Sequence, residues 1–362
     1  TTTQSGNVAI GVEALENNLA DENVAVGKQA LNDNTSGNGN TSIGSFSLTK
    51  NTTAANNTAV GYNSLYTNVT GAGNTAVGRS SLVLNTASNN TAVGFESLCK
   101  NSSGTSNTAV GKGSLKATLT TSENTGVGAG ALNGNTGSCN TGVGSSALEN
   151  VTGDSNTAVG RRALYLNTSG TLNTAVGICS SQAMTSGQQN ISMGGNSLLV
   201  NTTGSRNSAL GMSSLAANVD GADNTAVGHG ALSANTSASE NTSVGRASLQ
   251  SNQTGTANVA VGFKSLNANT ASGNTAVGHN ALLKNTSGTR NTAIGSCALC
   301  NITTVAHNTA VGACALKTTT IGCNTAVGSC ALDTNTTGPN NTAVGAFAMD
   351  SNTEGGCNTA VG

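Results

Sequence analysis

Charged residues, aromatic residues and proline are scarce in this chain of 362 residues, and the lack of each argues against a class of protein. Asp, Glu, Lys and Arg make up only 8% of the residues, against about 25% in an average globular domain, which argues against an ordinary enzyme fold. The formal net charge is −1, so no basic surface predicts a nucleic acid or an anionic membrane as a partner. The chain has no run of about 18 apolar residues, so we expect no membrane insertion in this segment.

The single Pro, the absence of Trp and the 2% aromatic content are also unusual for a folded domain. Disordered chains also contain few aromatic residues, but they combine a high net charge with few aliphatic residues. Here 36% of the residues are hydrophobic, and the aliphatic residues recur at regular intervals. The composition therefore indicates an ordered repeat protein.

One short motif recurs from one end of the chain to the other. Aligning the sequence on N-T-A-V-G gives 22 starts, from Asn7 to Asn358, with fifteen spacings of 17 residues and six of 16. The unit reads N-T-A-V-G-x-x-A-L-x-x-N-T-S-G-x-x, and we number its positions from the first Asn. Position 1 is Asn and position 5 is Gly in all 22 copies. We expect a single continuous repeat array over residues 1–362, and a fragment of a longer fibre protein, since no capping segment is visible.

A unit of this length cannot bury its own apolar side chains, so it must stack on its neighbours. The regular Gly residues prevent an amphipathic helix, which needs apolar residues at helical spacing over about ten residues. N-T-A-V-G is typical of a short strand, and T-S-G-x-x of a return turn. The sequence therefore predicts an all-β fold, a parallel β-solenoid (β-roll) of about 22 coils of 16–17 residues.

Stacking places equivalent residues of successive coils directly above one another, about 4.8 Å apart. We expect two apolar core columns, at positions 4 and 9, as in Val60, Val77, Val93, Val110, Leu65, Leu82, Leu98 and Leu115. The Asn residues that recur at position 1, and those at position 12, predict a ladder of side-chain amides along the axis. At position 1 the ladder would include Asn57, Asn74, Asn90 and Asn107.

Position 3 is Ala, Ser or Gly in every copy, although it points away from position 4 in a strand. A strand that is restricted on both faces is covered on both faces. We expect a second copy of the chain to cover this column, with subunit contacts at Ala59, Ala76, Ala92 and Ala109. The alternative is that one thin coil needs small residues in its own interior.

The motif resembles the head repeats of trimeric autotransporter adhesins, which also occur in phage and virus tail-fibre proteins. The closest matches are N-V-A-I-G at Asn7 and N-V-A-V-G at Asn23 and Asn258. The resemblance covers essentially the whole chain and implies a left-handed, homotrimeric β-roll with the small residue near the subunit contact. The units here are longer, and Thr mostly replaces the aliphatic residue at position 2.

No residue pattern predicts catalysis, a metal site or a cofactor. The three His are isolated, and the 15 Asp and Glu lie in variable positions. Cys297, Cys314 and Cys330 share position 7 of consecutive units, within disulfide range when stacked, although only two of the three could pair. Cys297-x-x-Cys300 lacks the second pair that a zinc site needs.

Together these observations predict a structural fibre shaft that is not an enzyme and that presents a receptor-binding surface. It would belong to a virus or phage tail fibre or to a cell-surface adhesin, on an extracellular or virion surface. Its expected partners are other copies of itself, in a homotrimer, and a host-surface receptor or glycan. The alternatives are a β-solenoid that binds a lattice of ice or polysaccharide, and a self-assembling extracellular filament subunit.

Overall fold

The computed structural model describes residues 4–362 and contains 22 strands of three residues each. The chain divides into two compact units, Thr1–Cys179 and Ser180–Gly362. The strands of the first unit are β1 (Val8–Ile10), β2 (Val24–Val26), β3 (Thr41–Ile43), β4 (Thr58–Val60), β5 (Thr75–Val77), β6 (Thr91–Val93), β7 (Thr108–Val110), β8 (Thr125–Val127), β9 (Thr141–Val143), β10 (Thr157–Val159) and β11 (Thr174–Val176). Those of the second are β12 (Ile191–Met193), β13 (Ser208–Leu210), β14 (Thr225–Val227), β15 (Thr242–Val244), β16 (Val259–Val261), β17 (Thr275–Val277), β18 (Thr292–Ile294), β19 (Thr309–Val311), β20 (Thr325–Val327), β21 (Thr342–Val344) and β22 (Thr359–Val361).

Within each unit, every strand pairs in parallel with the strand of the next coil, and equivalent residues are in register. Between β4 and β5, for example, Ala59 is paired with Ala76 and Val60 with Val77, and β6 continues the same register with Val93. The predicted all-β parallel solenoid is confirmed. Residues 4–362 contain no helix, and so none of a length and hydropathy that could cross a membrane.

Each strand ends at the Gly of position 5, where only Gly fits. Gly94 has a φ of +134°, in the region that L-residues with a side chain rarely adopt. A Cβ placed on Gly94 would lie 2.6 Å from the carbonyl oxygen of Gly111 in the next coil. Because the same contact recurs coil after coil, this position is Gly throughout the chain.

The segment after the strand is a series of turns rather than a second strand. Its backbone enters the left-handed region at positions 7 and 9, as at Glu96 with φ 52° and Leu98 with φ 48°. Backbone hydrogen bonds to the next coil continue through these turns, since the amide of Leu98 donates to the carbonyl of Ser114 at 2.9 Å. The turns bring the Leu side chain back over the inner face of the strand.

Candidate functional site

The interior of each coil is formed by position 3 and position 9. Ala59, Ala76, Ala92 and Ala109 are fully buried, as are Leu65, Leu82, Leu98 and Leu115. The valines of position 4 point the other way: Val60, Val77, Val93 and Val110 are only half-buried. Leu therefore occupies the predicted core column.

The assignment of the valines to the core and of the alanines to a subunit contact was wrong. The coil is so thin that little more than a methyl group fits between the strand and the Leu opposite. At Gly126, an added Cβ would lie 3.3 Å from Cγ of Leu115 and 2.6 Å from Oγ of Ser114. The small residues thus face their own chain's interior, which is the alternative that the sequence left open.

The Asn residues of position 1 form a hydrogen-bonded ladder in each unit. Oδ1 of Asn57 accepts the backbone amide of Asn74 at 2.9 Å and its side-chain amide at 3.1 Å. Nδ2 of Asn74 also donates to the carbonyl of Ala87 at 2.8 Å, in the return turn of its own coil. The pattern continues from Asn74 to Asn90 and from Asn90 to Asn107. These buried side chains satisfy backbone groups that the three-residue strands leave unpaired.

A second ladder runs through the Asn residues of position 12. Nδ2 of Asn51 donates to Oδ1 of Asn34 at 2.8 Å and to the carbonyl of Ala54 at 2.9 Å. Both Asn34 and Asn51 begin N-x-T/S glycosylation sequons, and both are fully buried. A glycan has no access to either side chain in this fold.

The outer face of the strands carries a row of Thr at position 2 and a row of aliphatic residues at position 4. The Thr residues are half-buried in most strands, and the aliphatic residues range from half-buried to exposed, as at Val159 with 38% exposure and Ile43 with 40%. The row at position 4 contains Val, Ile, Leu or Met in all 22 strands. This outer Thr/Val face was missed by the sequence reasoning, because the strand was given the opposite orientation.

The outer turns, formed by positions 6, 7 and 10, carry most of the variation between coils. In the first unit they form a cleft of about 370 Å³, lined by Glu96, Lys112, Gly113, Lys116, Ala129, Gly130, Asn133, Ser145 and Ser146. The cleft opens where position 7 is Gly in two consecutive coils. Its electrostatic centre is the Glu96 carboxylate, which is 2.7 Å from Nζ of Lys116.

Three cations lie around the Glu96 carboxylate. The hydrogen bond from Lys116 holds the pKa of Glu96 below its usual value, and the charges of Lys116, Arg79 and Lys112 also lower it. Because one carboxylate cannot neutralise three cations, this edge of the cleft carries residual positive charge. The arrangement fits an anionic or hydroxyl-rich ligand better than an apolar one.

All nine cysteines are free thiols. Cys297, Cys314 and Cys330 stack in consecutive coils, as expected from position 7, and no disulfide joins them. Burial raises the pKa of neighbouring Cys300 to about 11, and Cys297 beside it contributes to the shift. No group of three or more His, Cys, Asp or Glu side chains within the described residues is arranged to hold a metal ion.

Comparison of the chain with protein-family models, with curated proteins and with solved structures gave no match.

Proposed function

We propose that this chain is a structural fibre shaft with an adhesive, receptor-presenting role on an extracellular or virion surface. The observation that carries the proposal is the outer strand face. Position 4 is aliphatic or Met in all 22 strands, although it points outward and stays partly exposed in the single chain. Burial within the chain does not explain such a restriction, whereas burial against further copies of the chain does.

The partner proposed for this face is the chain itself, in a left-handed homotrimer, as the resemblance to adhesin head repeats implies. In-register rows with a repeat of about 4.8 Å are complementary to the same rows of another copy around a common axis. The outer turns would then remain accessible, and their variable side chains would form the receptor-presenting surface. No step of this function needs a catalytic group or a cofactor.

Sedimentation velocity and native mass spectrometry test the assembly. The expected mass is three times the 35.2 kDa of one chain. Replacing Val93 and Val110 together by Lys places like charges on the outer face and is expected to give monomers that keep the circular dichroism of the parent. The matched control, Arg161→Ala on an exposed outer turn, should stay trimeric. A parent chain that sediments as a monomer at all concentrations would refute the proposal.

A second candidate function, binding of a regular lattice such as ice or a crystalline polysaccharide, is favoured by one observation. Thr58, Thr75 and Thr91 lie in register on the outer face, so a regular row of Thr side chains points outward. The two functions compete for this face, because a trimer would cover it. Thermal hysteresis, measured for the parent chain and for the Lys variant, distinguishes the two functions. A parent chain that binds ice and forms no trimer would favour lattice binding over the fibre shaft.

A further inference from the structure

The outer turns of the first unit carry a continuous ridge of aromatic and cationic side chains. Over five consecutive coils, the ridge consists of Lys28, Phe46, Tyr62, Arg79 and Phe95. Nζ of Lys28 lies 5.7 Å from the ring centre of Phe46, and the rings of Phe46 and Tyr62 meet edge to face at 5.9 Å. The guanidinium of Arg79 lies between two rings, 6.0 Å from that of Tyr62 and 5.8 Å from that of Phe95.

The side chains of the ridge are partly exposed, and the backbone that carries them is fixed by hydrogen bonds between coils. Tyr62 is 48% and Phe95 38% exposed, in a chain that has only seven Phe and Tyr residues in total. The backbone beneath is tied from coil to coil, since the amide of Ser80 donates to the carbonyl of Tyr62 at 3.0 Å and that of Glu96 to the carbonyl of Arg79 at 3.1 Å. A fixed row of exposed rings is a preformed binding surface.

The ridge leads directly into the cleft. Phe95 is followed by Glu96, which forms the edge of the cleft, and the floor begins one coil later at Gly113. The cleft volume of about 370 Å³ lies within the range of small-ligand pockets. Its Lys, Glu, Asn and Ser side chains supply both donors and acceptors, which is the pairing that a hydroxyl-rich ligand requires.

We infer that the ridge and the cleft form one binding site for a linear, carboxylated polysaccharide. The apolar C–H face of a pyranose ring packs on an aromatic face, and the coil repeat of about 4.8 Å offers a side chain for each successive sugar ring. Sugar hydroxyls would pair with the polar groups of the cleft. This site rests on the proposed shaft function and gives its receptor-presenting surface a ligand class.

The charges favour a carboxylated over a neutral polymer. Three cations, Arg79, Lys112 and Lys116, surround the single Glu96 carboxylate, and Arg79 and Lys112 form no ion pair within residues 4–362. Aromatic rings interleaved with cations also suit single-stranded nucleic acid. However, the oxygens of Glu96, Asn133 and Ser145 in the cleft accept hydrogen bonds from hydroxyl groups, which every sugar of a polysaccharide offers and the sugars within a DNA strand do not.

Isothermal titration of the full chain with alginate, a polyuronate, tests the inference, with dextran as the neutral polymer and oligo(dT) as the nucleic acid. We expect binding of alginate that weakens with added NaCl, and markedly weaker binding of the other two. Absence of alginate binding, equal binding of dextran, or preferential binding of oligo(dT) would each overturn the inference.

Matched variants locate the site. Tyr62→Ser and Phe95→Ser are each expected to weaken alginate binding about tenfold, equivalent to about 1.4 kcal/mol. Phe347→Ser removes a ring outside the ridge that is even more exposed, at 62%, and should have no effect. Gly113→Asn fills the cleft, and Gly230→Asn is its control at the same position of another coil. Both glycines lie near φ +65°, where Asn is tolerated, and an added Cβ meets nothing closer than 3.9 Å.

Circular dichroism melting of every variant shows whether a loss of binding reflects unfolding. Equal losses in the ridge variants and in their controls, at unchanged melting temperature, would refute the location of the site. Sedimentation separates this inference from the shaft proposal. A trimer that does not bind alginate contradicts only the site, and a monomer that binds it contradicts only the shaft.

Discussion

Replacing Asn107 by Ala tests how much the amide ladder of position 1 contributes to the stability of the fold. In the native chain, Oδ1 of Asn107 accepts the backbone amide of Asn124 at 3.0 Å. Its Nδ2 donates to the carbonyl of Thr121 at 2.9 Å and to Oδ1 of Asn90 at 3.2 Å. The substitution removes these three bonds and a fourth, from Nδ2 of Asn124 to Oδ1 of Asn107 at 3.2 Å, while leaving the strand and its Leu packing in place.

The magnitude follows from the groups left without partners. Oδ1 of Asn90 keeps the backbone amide of residue 107 at 3.0 Å, so it remains satisfied. The amide of Asn124 and the carbonyl of Thr121 lose the only partners that the structure gives them. An unsatisfied buried polar group costs about 1–3 kcal/mol, so the fully buried Asn124 amide should by itself cost the variant about 1–3 kcal/mol of stability, a large share of the stability of a typical domain. The carbonyl of Thr121 should add less, because this residue is only half-buried.

Urea unfolding followed by far-ultraviolet circular dichroism suits a chain without Trp. Because repeat arrays unfold in segments, amide hydrogen exchange by mass spectrometry should accompany it and show the loss of protection centred on residues 90–124. Asn107→Asp, which keeps the acceptor and loses both donors, should also be destabilised. The exposed control Arg161→Ala should match the parent. If Asn107→Ala also matched it, in both unfolding and exchange, the ladder would have no part in stability.

Three further predictions test the interior, the strand end and the thiols. Ala92→Leu should lower the melting temperature, since overpacking of the interior costs about 1–3 kcal/mol. Val93→Thr on the outer face should change the stability of the isolated chain little. A larger loss of stability from Val93→Thr than from Ala92→Leu would restore the original assignment of the valines to the core. Gly94→Ala should destabilise by at least about 1–3 kcal/mol through backbone strain, and a melting curve equal to that of the parent would contradict the close approach of the coils at this point. Burial raises the pKa of Cys300 to about 11, and only the thiolate reacts with iodoacetamide. At about pH 8.5, Cys300 should therefore be alkylated more slowly than exposed Cys357. Equal alkylation rates of the two cysteines, measured by peptide mass spectrometry, would place Cys300 at the surface.

The solenoid and its register follow from the sequence, because a fixed motif at a fixed spacing leaves only one way to stack. The direction in which the strand faces does not follow from alternation alone, since both faces are restricted. The range of side-chain sizes found at each repeat position does indicate the direction. Position 4 accepts residues as different as Val, Met193 and Leu210, whereas position 3 never exceeds Ala or Ser. The column with the tighter size limit is the interior one.

The ridge and the cleft were also visible in principle, although each depends on several coils at once. Taken one repeat position at a time, the outer-turn positions show only that they vary from coil to coil. Their meaning lies instead in the order along the axis, where Phe46, Tyr62, Arg79 and Phe95 become neighbours and two successive glycines open a gap. In a solenoid, residues 16 or 17 positions apart are contacts, so a binding site has to be sought at that spacing.

Coil length decides whether the second ladder is continuous. In coils of 17 residues, Nδ2 at position 12 donates to the carbonyl three residues ahead, as Asn68 does to Gly71. In coils of 16 residues the target is two residues ahead, as for Asn85 and Ala87. The shift withdraws Nδ2 of Asn85 from the previous coil, and Oδ1 of Asn68 is left without a partner.

The same break recurs in the second unit, at Asn252 below another coil of 16 residues. The first ladder crosses the coil of Asn74 without interruption, with 2.9 Å bonds on both sides, because position 1 precedes the deleted residue. One ladder therefore fixes the register of the strands independently of coil length, and the other depends on the return turn. This division explains why Asn is invariant at position 1, while position 12 also contains Thr, Val, Met and Ile.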